Sequence, residues 1–213
     1  MSDPAADPRP DHPQLYLISP PVFDPQAFAP QLARILDALP VACLRLSLAS
    51  SDEDAIARAA DALRGVAHER DIAIVIDRHA MLAERLGLDG VHLPVGMRGV
   101  RKLRETIGAD AIIGAGCGTS RHDGMSAAEA GADYVSFAPL GATPLGDGET
   151  VDYEIFAWWS EVIEVPVVAE GALTPDLIAR FAPVTDFFAI GDEIWNAEDP
   201  LAALKTLIAP IGP

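Results

Sequence analysis

The apolar residues of this chain alternate eight times between short β-rich runs and longer segments with helical spacing. The runs contain four to six residues and are apolar almost throughout, as strands covered on both faces require. They are Leu15–Ser19, Ala42–Ser47, Ala73–Asp77, Gly90–Leu93, Ala111–Gly114, Tyr134–Ala138, Pro166–Ala169 and Phe187–Ile190. The segments that follow place apolar residues three and four positions apart, which predicts helices with one buried face. They are Gln26–Leu39, Asp52–Arg70, Arg78–Leu86, Gly99–Ile107, Gly124–Ala130, Tyr153–Val162, Pro175–Phe181 and Leu201–Ile208.

Eight strand–helix units in succession predict one parallel sheet, because each helix returns the chain to the start of the next strand. A doubly wound open sheet is the alternative, but it usually has fewer strands and a glycine-rich first turn, which does not follow Leu15–Ser19. We therefore predict an α/β protein with a single (β/α)₈ (TIM) barrel, which suits 213 residues. The barrel is assigned to residues 14–213, and the polar, proline-rich residues 1–13 are interpreted as a disordered leader.

The charge of the chain limits its partners. A formal charge of −17, from 32 acids against 15 bases, repels phosphate backbones, so neither nucleic acid nor an anionic membrane is expected to bind. No apolar run reaches the length of a membrane-spanning helix. A small molecule is the expected ligand, and a phosphorylated one requires a locally positive pocket. The two cysteines match no metal spacing, which favours a cytoplasmic protein with reduced thiols. An oligomer is compatible with the sequence, which contains no signal that defines one.

Barrels of this type carry their active sites at the carboxyl ends of the strands, so polar residues at those ends are the candidates for function. Arg45 and Ser47 lie two positions apart on the second strand and therefore share a face. A guanidinium flanked by apolar residues is costly to bury unless it meets an anion. That anion is either a ligand or an internal acid such as Asp77 or Glu170, and both alternatives stay open.

Three roles are open for Asp77, at the end of the third strand: a Mg²⁺ ligand, a base, or an ion-pair partner of Arg45. One carboxylate rarely holds Mg²⁺ without substrate phosphates or a second acid, for which Glu170 and Asp192 are the candidates. Ion pairing is therefore the preferred interpretation. His92 lies within an apolar strand and is interpreted as a hydrogen-bonded core histidine.

Glycines at the strand ends form a second group of candidates. Gly116 follows the fifth strand, and Gly171 and Gly191 follow the seventh and eighth strands, where barrels commonly bind a phosphate through backbone N–H groups. Glycines also simply form turns. Glu170 and Asp192, directly beside these glycines, would repel a phosphate, and this counts against such a site.

Several segments together resemble the thiamine phosphate synthase family, which also contains thiazole tautomerases of the same fold. They are Ile74–Arg78, Leu82–Leu93, Ala130–Pro139 and Val165–Gly171, and the resemblance runs in order from about residue 15 to residue 207. It implies a (β/α)₈ barrel that joins a hydroxymethylpyrimidine pyrophosphate to a thiazole phosphate. It also implies Mg²⁺ and cationic side chains, because a departing pyrophosphate must be stabilised electrostatically.

The chain departs from the family pattern at several cationic and polar positions. On the second strand the family carries Gln-x-Arg-x-Lys, where this chain has Cys43, Arg45 and Ser47. After the fifth strand Gly116 replaces a serine, and the position of the tautomerase histidine falls on Gly118. His122, a few residues later, could substitute only if the loop folds back. After the sixth strand the family carries Thr-x-Thr-Lys, of which only Thr143 remains, with Gly146 at the lysine position.

The metal positions of the family are also incomplete. On the third strand Ile76 replaces an asparagine, whereas Asp77 and Arg78 remain. Met97 stands at or near a second Mg²⁺-binding aspartate, and Glu170 replaces an isoleucine on the seventh strand. Together the residues and the resemblance select Arg45 and Asp77 as catalytic residues, with Asp77 also the metal ligand. The substrate-binding candidates are Ser47, Arg78, Gly116, Thr143, Glu170, Gly171 and Gly191.

Three functional hypotheses follow. The first is a thiamine phosphate synthase-like protein of thiamine biosynthesis with weak or lost parent activity, for which Mg²⁺ is expected only if activity is retained. The second is a barrel that binds a thiazole, a pyrimidine or another small ligand without converting it, with Arg45 as the anion anchor. The third is a different enzyme that uses Asp77, Glu170 and Asp192 as acids and bases, since clustered carboxylates raise one another's pKa.

Overall fold

The structure is a computed structural model that describes residues 13–95, 99–143 and 148–212. Its eight parallel strands close into a barrel in sequence order, because β1 pairs with both β2 and β8. The strands are β1 (Gln14–Ile18), β2 (Val41–Leu46), β3 (Ala73–Asp77), β4 (Gly90–Leu93), β5 (Ile112–Gly116), β6 (Tyr134–Phe137), β7 (Val167–Glu170) and β8 (Phe187–Ile190). The predicted (β/α)₈ barrel is confirmed. Residues 1–12, which contain nearly all of the predicted leader, lie outside the described residues.

The helices of the described residues surround the barrel. They are α1 (Pro25–Ala38), α2 (Glu53–His68), α3 (Ala80–Arg85), α4 (Val100–Ile107), α5 (Arg121–Glu129), α6 (Tyr153–Val162), α7 (Pro175–Phe181), α8 (Asp192–Trp195) and α9 (Pro200–Leu207). Side chains that accept hydrogen bonds from first-turn N–H groups fix several starts, among them Asp24, Asp52 and Thr174. Helix α5 begins three residues before the predicted start because Ser120 caps it, and the four-residue α8 was not predicted.

Alternation along the strands divides the apolar residues between two clusters. On β2, Leu44 and Leu46 point outward and are fully buried beneath the helices. Cys43, Arg45 and Ser47 alternate with them and therefore face the barrel interior. A smaller cluster fills that interior, and it consists of Tyr16, Val75, Tyr134, Val168 and Ala189.

A buried polar chain crosses the barrel interior. The hydroxyls of Tyr16 and Tyr134 are hydrogen-bonded at 2.7 Å, and the Tyr134 hydroxyl lies 3.0 Å from Nδ1 of His92. Burial, together with the positive charge of Arg45, holds the pKa of His92 well below its usual value, so the ring is neutral. The predicted hydrogen-bonded core histidine is what the structure shows. A cavity of about 320 Å³ lies at the amino ends of the strands, and its wall includes Tyr16, Cys43 and Tyr134.

No helix in the described part of the chain is both long enough and apolar enough to cross a bilayer.

Candidate ligand-binding site

A pocket of about 330 Å³ opens at the carboxyl ends of the strands. It lies between the ends of β1, β2, β7 and β8, where barrels of this type place their active sites. The structure brings six of the candidate residues together in its wall, with Asp192 and Glu193 beside them. These six are Arg45, Ser47, Thr143, Glu170, Gly171 and Gly191.

Arg45 forms internal ion pairs with acids from two other strands. Its Nη2 lies 2.9 Å from Oε2 of Glu170 on β7, and its Nε lies 3.6 Å from Oδ1 of Asp77 on β3. The residue is only 6% exposed. Burial by itself would lower the pKa of Arg45, but the charges of Glu170 and Asp77 raise the pKa above its usual value. The guanidinium is therefore always charged, and two carboxylates of the protein offset its charge.

One oxygen of Asp77 is hydrogen-bonded, and the other, which is buried, has only the charge contact with Arg45. Oδ1 faces Arg45, and Oδ2 accepts a hydrogen bond of 2.6 Å from the Ser47 hydroxyl. Among the described residues, no group of three or more His, Cys, Asp or Glu side chains is arranged to hold a metal ion. Met97, at the second metal position of the family pattern, lies outside the described residues. The described side chains alone therefore do not form a Mg²⁺ site.

The remaining candidates lie outside the lining of this pocket. Arg78 is exposed and adopts a positive φ of 65°, with its backbone N–H donating to the carbonyl of His92 at 2.9 Å. At Gly116 a Cβ would lie 2.6 Å from the carbonyl oxygen of Pro94. This glycine therefore permits a close approach between two backbone segments. Gly146, at the lost lysine position, lies outside the described residues.

Glu193 is a site residue that the sequence-based interpretation missed. It lies in α8, and its Oε2 accepts a 2.9 Å hydrogen bond from the N–H of Gly191. Its Oε1 accepts a 3.1 Å hydrogen bond from the N–H of Leu173, in the connection after β7. The acid two residues after Gly191 was the available signal, but only the short helix α8 turns the side chain back onto these amides.

The charges around the pocket are unbalanced. Within the lining that the structure describes, Glu170, Asp192 and Glu193 face a single cationic side chain, Arg45. Asp77 lies beside Arg45 and adds a further negative charge. The described part of the lining therefore repels an incoming anion, and such repulsion is strong in a partly desolvated pocket.

The thiols are expected to react slowly in the folded protein. Burial raises the pKa of Cys43 to about 12 and the pKa of Cys117 to about 12. Only about one thiol in 10⁴ is then ionised at pH 8, and the higher nucleophilicity of such a thiolate compensates only in part. We expect Ellman's reagent at pH 8 to modify the native protein about 100-fold more slowly than the protein in guanidinium chloride. Equal rates in the two conditions would contradict this prediction.

The fold is a single-domain (β/α)₈ barrel with a pocket at the carboxyl ends of its strands. A family model described as thiamine monophosphate synthase matches residues 15–189, which is most of the chain. The chain belongs to this family.

Individual relatives support the assignment. A thiamine-phosphate synthase of Rhodospirillum centenum is 45% identical over 187 residues, which cover 86% of this chain and 89% of the relative. A thiamine-phosphate synthase of Erythrobacter litoralis is 37% identical over 196 residues, which cover 89% of this chain and 91% of the relative. Among solved structures, a thiamine phosphate pyrophosphorylase from Pyrococcus furiosus has the same fold, with a TM-score of 0.78 and 22% identity. That match covers 93% of this chain and 95% of the other.

Proposed function

We propose that this thiamine phosphate synthase-like protein of thiamine biosynthesis binds a small molecule at the carboxyl ends of its strands and performs the joining reaction of the family weakly or not at all. One observation carries the proposal: Arg45, the cation of the described pocket lining, is already ion-paired with Glu170 and lies beside Asp77.

The chemistry of the joining reaction explains why this pairing matters. When pyrophosphate leaves, negative charge develops on its oxygens, and fixed positive groups must stabilise that charge. Here the charge of Arg45 is offset by two internal carboxylates, and Ser47 stands where the family pattern has a lysine. Loss of one such stabilising group costs about 10²–10³ in rate, although losses within one site do not simply multiply.

The acid–base enzyme hypothesis receives less support from the same geometry. It requires carboxylates that raise one another's pKa by mutual repulsion. The guanidinium of Arg45 instead lies next to both Asp77 and Glu170 and offsets that repulsion. Asp192 shares the pocket with Glu170 but is exposed to solvent.

An activity assay tests the proposed function. The purified protein is incubated with the pyrimidine pyrophosphate, the thiazole phosphate and Mg²⁺, and thiamine phosphate is quantified beside an active thiamine phosphate synthase. We expect kcat/KM at least about 10³-fold below that of the active enzyme, because more than one charge-stabilising group has been lost. Turnover within tenfold of the active enzyme would show that the missing charges are supplied elsewhere and would overturn the proposal.

A further inference from the structure

Two backbone N–H groups at the ends of β7 and β8 point at one carboxylate. The N–H of Gly191 donates to Oε2 of Glu193 at 2.9 Å, and the N–H of Leu173 donates to Oε1 of Glu193 at 3.1 Å. Loops after the seventh and eighth strands commonly provide the phosphate-binding amides of (β/α)₈ barrels. The carboxylate of Glu193 therefore occupies the position that a phosphate takes in such barrels.

The carboxylate resembles a phosphate at this position in its hydrogen bonds and in the sign of its charge. Each of its two oxygens accepts one hydrogen bond, as two oxygens of a phosphate would, and hydrogen bonds to a charged acceptor are the stronger kind. Gly191 and Leu173 are both buried, so their N–H groups do not depend on solvent as a hydrogen-bond partner. A phosphorylated ligand would have to displace Glu193 before it could bind there.

The rest of the pocket wall disfavours a second anion and favours a cation. Asp192 is exposed, borders the pocket and has no ion-pair partner among the described residues. Glu170 also borders the pocket, and its side chain remains 17% exposed beside Arg45. Arg45 itself is more than nine-tenths buried, and its Nη1 has no hydrogen-bond partner in the described chain, which suits a neutral acceptor on a ligand.

We propose that Glu193 is a resident anion that fills the phosphate position, and that the pocket takes an unphosphorylated ligand with a positively charged nitrogen. The ligand class is a cationic nitrogen heterocycle with a neutral hydrogen-bond acceptor. Asp192 and Glu170 face its charge, and the amides after β7 and β8 remain satisfied by Glu193. This inference rests on the proposed function for the location of the ligand, but its test does not depend on turnover.

Inorganic phosphate is the first probe. Thermal unfolding is measured in 20 mM phosphate and in sodium chloride of equal ionic strength, for the wild type and for Glu193→Ala. We expect no phosphate-specific shift for the wild type, whereas Glu193→Ala frees two N–H groups and should gain about 4 °C if phosphate binds with a Kd of about 1 mM. Glu193→Gln keeps a hydrogen-bond acceptor at the same place, so phosphate should raise its Tm less than it raises the Tm of Glu193→Ala. The exposed Glu198→Ala, which removes the same charge elsewhere, should behave as the wild type.

Two outcomes of this experiment would overturn the resident anion. One is a wild type that phosphate stabilises as much as it stabilises Glu193→Ala, and the other is a Glu193→Ala protein that phosphate does not stabilise beyond Glu198→Ala. Neither outcome bears on the turnover assay, so failure here and failure of the proposed function are separate results.

Thiamine and thiamine monophosphate form the second pair of probes, because both carry a quaternary nitrogen and they differ by one phosphate. Calorimetric titration of the wild type is expected to show at least tenfold tighter binding of thiamine. Asp192→Asn should weaken the binding of thiamine about fivefold, while Glu198→Gln leaves it unchanged. Equal or tighter binding of the monophosphate, or no binding of thiamine, would refute the proposed ligand class.

Discussion

Replacement of Arg45 by methionine is expected to lower the free energy of unfolding by about 3–5 kcal/mol, which corresponds to a fall in Tm of about 10 °C. The cost does not come mainly from the lost ion pairs themselves. It comes from Glu170 and Asp77, two largely buried carboxyl groups that would lose the guanidinium beside them. Urea denaturation with linear extrapolation measures the change.

A matched arginine substitution provides the control. Arg34 also forms an ion pair, with Asp199 at 3.0 Å, but both side chains are well exposed. Arg34→Met should therefore change stability by no more than about 1 kcal/mol. Addition of Asp77→Asn and Glu170→Gln to Arg45→Met should recover part of the lost stability. Removal of all three charged side chains destabilises a protein less than removal of the guanidinium alone. A single Arg45→Met protein as stable as the wild type would show that the buried charges are not coupled in the way described.

A methyl group added at Gly114 is expected to cost at least about 1–3 kcal/mol, and more if the barrel resists adjustment. A Cβ at this position would lie 2.0 Å from Cζ of Tyr134 and 2.2 Å from its hydroxyl oxygen. The hydroxyl of Tyr134 is hydrogen-bonded to Tyr16 and lies 3.0 Å from His92, so a shift of the ring would break these contacts. Gly114→Ala should therefore also disturb the polar chain inside the barrel.

Gly65 is the matched control for this substitution. It lies within α2, and nothing lies within 4 Å of a Cβ built on it. Gly65→Ala is expected to raise stability by about 0.5–1 kcal/mol, because glycine in a helix has a high entropic cost of folding. Gly114→Ala combined with Tyr134→Leu should lose less stability than the sum of the two single changes, since the clash is removed. If the stability losses of Gly114→Ala and Tyr134→Leu add up without any coupling, the cost of Gly114→Ala does not come from a clash with Tyr134.

The architecture was predictable because each strand and each helix has its own local sequence pattern. A strand buried on both faces is a short apolar run, and an amphipathic helix has its own period, so eight repeats were enough to define the barrel. The bounds of the strands were predicted to within two residues. Helix α5 was misplaced at its start because the Ser120 cap lies in a polar stretch without helical periodicity.

The contacts within the site were less predictable, since they depend on closure of the barrel. Arg45, Asp77 and Glu170 come from β2, β3 and β7, and the sequence left open whether Arg45 meets a ligand or an internal acid. Only the closed sheet places Glu170 across the interior from Arg45. The role of Glu193 depends on the turn that α8 makes after β8, and no periodic pattern reports the direction of a single turn.

The hydrogen-bonded tyrosines in the middle of the barrel have a consequence for the movement of small molecules. Tyr16 and Tyr134 are almost completely buried, and they lie between the pocket at the carboxyl ends of the strands and the cavity at the amino ends. The interior of the barrel is thus closed in the middle. A molecule that enters at the carboxyl end therefore has no passage through the middle of the barrel to the amino end.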